Sequence, residues 1–133
     1  MKLEEGIRVT CAIIQDSNGN ILLCQRPMHK DQGGKWEFPG GKLEKSESAE
    51  ACIVREIREE LGVQVRIIKK LAECSHTYPN KIIILVPFVC HLEIGEKPRL
   101  YEHEAMIWVN PEDALSYPLP EADERVLREY LKI

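Results

Sequence analysis

Residues 41–63 read GKLEKSESAEACIVREIREELGV. Ser48 is a favoured N-cap type and Glu50 falls in the first turn that would follow it. Ala49, Ile53, Ile57 and Leu61 recur every four residues, which predicts a helix with one apolar face. Gly62 is its stop signal. On that helix Glu56, Glu59 and Glu60 stand at i, i+3 and i+4, so all three carboxylates share a face. Like charges at this spacing repel, by roughly 0.2–0.5 kcal/mol per pair. Arg55 and Arg58 offset part of that cost, and a hard divalent cation would offset far more. Ligands that are all oxygen select Mg²⁺ or Mn²⁺ over zinc.

The plainer reading of an E-x-x-E-E string is a solvated acidic face. Its surroundings favour the ligand reading. Phe38-Pro39-Gly40-Gly41 lies just upstream. A glycine turn lets backbone approach a ligand closely, and its carbonyl can join a metal shell. Glu47, at the helix entrance, is placed to bond to Arg55.

Outward from this segment, residues 7–14 are rich in β-branched types and read as a strand. The turn cluster at residues 16–20 and the apolar residues 21–25 complete a hairpin. Residues 26–35 form a polar loop, and 36–41 are a short extended piece ending in a tight turn. Downstream, residues 63–73, 81–92 and 105–109 read as strands. Asn110-Pro111 starts a short helix with Pro at its first position, and a last helix runs over residues 120–131. Elements mixed in this order predict an α/β protein of mixed α+β character, its sheet covered by helices on both sides.

A chain of 133 residues predicts one domain, spanning 1–133. Its net charge of −4 argues against a nucleic-acid polymer as partner, but not against a phosphorylated small molecule met through a bound cation. Five cysteines, an odd number with no C-x-x-C pair, read as reduced and mostly buried thiols of a cytoplasmic protein. Residues 1–10 lack the apolar core of a signal peptide. The apolar run 82–90 is nine residues long and contains Pro87, too short to cross a bilayer. The four histidines form no H-E-x-x-H motif, and neither a Walker A loop nor G-x-S-x-G occurs.

The segment resembles the Nudix box, G-x5-E-x7-R-E-U-x-E-E-x-G-U, where U is bulky and apolar. Gly41, Glu47, Arg55, Glu56, Ile57, Glu59, Glu60, Gly62 and Val63 match every fixed position. Residues 21–48 and 102–123 extend the resemblance to MutT-type enzymes, in appearance nearest to bacterial CTP pyrophosphohydrolases and 8-oxo-dGTP diphosphatases. The implied fold is the Nudix α/β/α sandwich, with a mixed β-sheet between helices. The implied cofactor is Mg²⁺, with Mn²⁺ able to substitute. By position, the metal ligands would be the Gly40 carbonyl, Glu56, Glu59, Glu60 and Glu102. Arg55 would orient the glutamates through Glu47, and Glu56 and Glu102 are both candidates for the general base. Arg26 matches a phosphate-contacting position, and Asp31, Glu37, Phe38, Pro39 and Gly40 fall in the matching substrate-binding stretch. Asp123 stands where MutT has a base-reading asparagine. An ionised Asp only accepts hydrogen bonds, which would favour a donor such as cytosine N4. Tyr78 and Phe88 are candidates to stack on the base, or else belong to the core.

The resemblance implies a nucleoside triphosphate pyrophosphohydrolase that releases a nucleoside monophosphate and pyrophosphate. Its substrates would be (d)CTP-like or oxidised purine nucleotides, and it would work as a monomer or homodimer away from membranes. One alternative is ADP-ribose or a dinucleoside polyphosphate as substrate, for which Tyr78, sixteen residues after Gly62, is the hint. Another is a nucleotide-binding module without catalysis.

Overall fold

The computed structural model describes residues 6–132, so residues 1–5 of the stretch tested for a signal peptide lie outside it. Among the described residues seven strands form one mixed sheet: β1 (Ile7–Gln15), β2 (Ile21–Gln25), β3 (Trp36–Glu37), β4 (Val65–Lys70), β5 (Cys74–Tyr78), β6 (Lys81–Leu92) and β7 (Ala105–Val109). Two helices, α1 (Ala49–Leu61) and α2 (Glu121–Leu131), cover its faces. The strand order is β3-β2-β1-β6-β4, with β7 on β2 and β5 on β6. β1 and β6 run parallel and the other pairs antiparallel.

Strand alternation sorts the core into two halves. Cys11 and Ile13 of β1, Ile21 and Leu23 of β2, and Leu85 and Val89 of β6 pack with Val126 and Leu127 of α2. Their neighbours Ala12, Ile14, Leu22, Cys24, Val86, Phe88 and Cys90 pack with Ile53, Ile57 and Leu61 of α1. Phe88 is fully buried on the α1 side, which corrects its candidacy as a base-stacking ring. All five cysteines are free, and four of them are buried. No described helix is long and apolar enough to cross a membrane.

Three expectations need correction. The β1–β2 hairpin is joined only at its turn, where Gln15 faces Ile21. Beyond it the strands diverge, and residues 36–42 occupy the gap. Trp36 and Glu37 pair with β2, after which the chain crosses to β1: Ala12 N–H donates to the Pro39 carbonyl and Thr10 N–H to the Gly41 carbonyl, both at 2.8 Å. The region read as one strand over 63–73 is β4 alone, and β5 is a separate strand absent from the sequence reading. β4 pairs with β6 from Phe88 onward and β5 pairs with it up to Leu85. Pro87 sits at the changeover, where its missing N–H interrupts neither ladder. The short helix after Asn110 is a single 3-10 turn, Asp113–Ser116. The Asn110 side chain instead accepts the Glu112 N–H at 3.0 Å in a turn that precedes it.

Candidate active site

α1 is capped as its sequence dictates: the Ser48 hydroxyl accepts the Ala51 N–H at 3.0 Å, and Gly62 closes the helix in a left-handed conformation. Its polar face meets the glycine turn. A Cβ on Gly40 would lie 2.0 Å from the Thr10 carbonyl oxygen, and one on Gly41 would lie 2.3 Å from the Glu56 carboxyl carbon. Only two glycines let the chain press against β1 on one side and the carboxylate on the other. The turn is held by its neighbours. The Gly41 carbonyl takes the Thr10 hydroxyl at 3.0 Å as well as the Thr10 N–H. The Gly40 carbonyl accepts no hydrogen bond among the described residues, whereas those of Pro39 and Gly41 are both used.

Glu60 receives the Gly40 N–H at 3.3 Å and is only 6% exposed. Burial pushes its pKa well above the ordinary carboxylate range, and a hydrogen bond with Glu56 and the charges of Glu56, Glu102 and Glu37 push the same way. Arg55 is the hub for the other acids. Its Nε and Nη2 grip Glu47 at 2.7 and 2.9 Å, and its Nη1 reaches Glu56 at 2.9 Å and Glu59 at 3.2 Å. That bidentate bond is the chief reason the Glu47 pKa falls to about 2.

A cleft of about 460 Å³ opens in front of these groups. Arg26, Asp31, Glu37, Phe38, Gly40, Glu60, Tyr78, Glu102 and Asp123 line it. Pro39 does not; it is buried, with its carbonyl bonded to β1, which corrects its assignment to the substrate surface. Glu47, Arg55, Glu56 and Glu59 lie outside the cleft wall, and the Glu59 side chain is 53% exposed and turned to Arg55.

At the far end Asp123 lies in the first turn of α2, 7% exposed, and its Oδ2 accepts the Phe38 N–H at 3.0 Å. Burial raises its pKa to about 8, helped by the charge of Glu37 and opposed by the Phe38 bond and Arg26. This corrects the expectation of an ionised acceptor: near neutral pH the carboxyl holds its proton and can donate as well as accept. Tyr78 is pinned by its hydroxyl, which accepts the Ala122 N–H at 3.0 Å, and its ring meets His76 edge-on.

Two features of the cleft wall went unnoticed in the sequence. Glu37 accepts Arg26 Nη1 on one oxygen and bonds His103 Nε2 with the other, both at 2.9 Å. Arg26 Nε also donates to the Asp31 carbonyl at 2.8 Å. No spacing rule could reveal a pairing between residues 66 positions apart.

Among the described residues, no three or more His, Cys, Asp or Glu side chains are already arranged to hold an ion. The donors nonetheless fit a hard divalent cation. They are all oxygens, one is a backbone carbonyl left unbonded, and Glu60 is a buried carboxyl beside like charges with no basic partner of its own.

Such a cleft, with carboxylates crowded on a glycine turn at one end and a buried polar pocket at the other, is that of an enzyme working on phosphorylated small molecules. The chain belongs to the NUDIX domain family, whose model matches residues 5–130. The CTP pyrophosphohydrolase of Escherichia coli K12 is 39% identical over 133 residues, covering 96% of this chain and 93% of that protein. The 8-oxo-dGTP diphosphatase of Haemophilus influenzae is 30% identical, covering 94% and 91%. Among solved structures, that of the E. coli ORF135 protein superposes with a TM-score of 0.83 at 39% identity, covering 96% of this chain and 90% of that one. The MutT protein of Methanosarcina mazei Go1 gives 0.85 at 27%, covering 98% and 96%. The chain is thus a Nudix hydrolase that acts on the phosphoanhydride bonds of nucleotides.

Proposed function

We propose that the chain is a Mg²⁺-dependent nucleoside triphosphate pyrophosphohydrolase, releasing a nucleoside monophosphate and pyrophosphate from (d)CTP-like or oxidised purine nucleotides. The observation that carries this reading is the two-ended cleft, with Glu60, Glu102 and the Gly40–Gly41 turn at one end and Asp123, Phe38 and Tyr78 at the other. A triphosphate spans such a cleft with its phosphates at the acidic end and its base at the α2 end.

Glu56, Glu59, Glu60, Glu102 and the Gly40 carbonyl would hold the metal. When bound, it supplies positive charge against the phosphate oxygens and makes water a better nucleophile. Arg26, Lys30 and Lys42 line the cleft and offset phosphate charge directly. Arg55 keeps Glu56 in place, and the proton of the attacking water goes to Glu56 or Glu102. At the base end, a protonated Asp123 donates to one acceptor of the base and accepts from the neighbouring donor. Cytosine offers that pair at N3 and N4, and 8-oxoguanine offers it at O6 and N1. The five free thiols suit the reducing cytoplasm.

The test is pyrophosphate release from CTP, dCTP, 8-oxo-dGTP, dGTP, ADP-ribose and diadenosine tetraphosphate, each with and without Mg²⁺. Metal-dependent release from a cytidine or oxidised guanine triphosphate is expected, and turnover of ADP-ribose or the dinucleotide alone would overturn the reading. Glu60→Gln should nearly abolish turnover while the fold persists. Activity within about tenfold of wild type, the scale of a supporting residue rather than a ligand, would remove Glu60 from the site.

A further inference from the structure

His103 stands two residues before β7, on the cleft wall, and no motif in the sequence marks it. Its side chain is 6% exposed. Glu37, between Arg26 and His103, uses one oxygen for each. The Nε2 contact with Glu37 is the one hydrogen bond of the His103 ring among the described residues. The other ring nitrogen, Nδ1, is buried without a partner among the described residues. Leaving a buried polar atom unpaired is costly, so the ring is placed for its Nε2 contact.

The consequence reaches Arg26. Its Nε is fixed by the Asp31 carbonyl and its Nη1 by Glu37, which leaves Nη2 as the part of the fork without a protein partner among the described residues. Glu37 alone could swing toward either neighbour. With His103 on its second oxygen, the carboxylate has one orientation, and the guanidinium beside it has one as well.

We propose that His103 is a positioning residue for nucleotide binding: through Glu37 it fixes the Arg26 guanidinium so that Nη2 meets a phosphate of the substrate. This rests on the nucleotide triphosphatase reading above and adds to it a residue outside the Nudix box.

The experiment is steady-state kinetics on the best nucleotide of the panel, for wild type and for His103→Ala, His103→Gln, Arg26→Ala and the double variant Arg26→Ala/His103→Ala, with thermal melts to verify folding. Removing a charge-assisted hydrogen bond that orients a binding group should raise KM about tenfold in His103→Ala, with kcat falling far less. His103→Gln, whose amide N–H can donate to Glu37, should recover most of that loss. The double variant should be no worse than Arg26→Ala, because the histidine acts through the arginine. If His103→Ala does not fold, His103→Met fills the space without a donor and takes its place. A fall in kcat at unchanged KM, a Gln variant as impaired as Ala, or a full additional loss on top of Arg26→Ala would each overturn the proposal. A wild-type chain inert toward every nucleotide would instead bring down the reading beneath it.

Discussion

Glu47 and Asp123 are carboxylates that each accept one backbone N–H at 3.0 Å, from Glu44 and from Phe38. One has its pKa lowered to about 2 and the other raised to about 8. The backbone bond lowers both, so it does not make the difference. Glu47 lies at the entrance to α1 in the grip of a bidentate arginine. Asp123 is sunk under α2, where no basic side chain bonds to it and the nearby charge of Glu37 is of the same sign. A paired carboxylate at the rim of a fold stays ionised. A buried one without a cation keeps its proton and becomes a two-way hydrogen-bonding group. On the proposed function the two regions would do different work: the acids tied to Arg55 would serve a metal and a phosphate chain, and the pocket around Asp123 would meet a base.

The contrast is most severely tested at Arg55. Arg55→Ala should lower turnover about 100-fold, the upper range for a residue that orients metal ligands, because Glu47, Glu56 and Glu59 all lose their shared partner. The Glu47 carboxyl, followed by NMR, should titrate near its ordinary value of 4.5 instead of about 2. In the wild type the pair contributes stability above the ordinary carboxylate range and loses it as pH falls toward 2. An unshifted Glu47 in the wild type would break the comparison at its acidic end.

Asp123→Asn probes the other end, with the opposite sign. The folded state holds the Asp123 proton up to about pH 8, whereas the unfolded chain releases it near 3.8. Wild-type stability should therefore fall as pH rises between those values and change no further above them. The Asn variant cannot ionise, so its stability, read from melting temperatures, should gain on that of the wild type by about 1.4 kcal/mol per pH unit across that interval and hold its lead above it. Parallel pH profiles for the two proteins would show that Asp123 ionises freely.

The smallest effect belongs to Tyr78→Phe. It strips the Ala122 N–H of its partner and should cost about 1 kcal/mol in chemical denaturation. No loss of stability would mean that the hydroxyl does not hold the start of α2.

How far the sequence carried this description varies along the chain. α1 was legible from its N-cap to its glycine stop, since capping, four-residue periodicity and the placing of three carboxylates on one face are matters of local spacing. The strands were legible where β-branched and apolar types run together, as in β1 and β6. β5, CSHTY, was not: it carries little apolar pattern of its own and becomes a strand because β6 offers it an edge. Asp123 was legible as a residue at a helix start, but its charge state was not, since that depends on what α2 packs against.

The sequence by itself thus determined the acidic helix, the glycine turn, the family and the class of chemistry, because each is written in residues a few positions apart whose geometry one element settles. The tertiary structure decided the rest. It opened β1 from β2 so that residues 36–42 could lie between them, tied Glu37 to a histidine 66 positions away, and buried one carboxylate while leaving another at the rim. Those outcomes follow from sheet order and desolvation, and neither exists until distant parts of the chain have met.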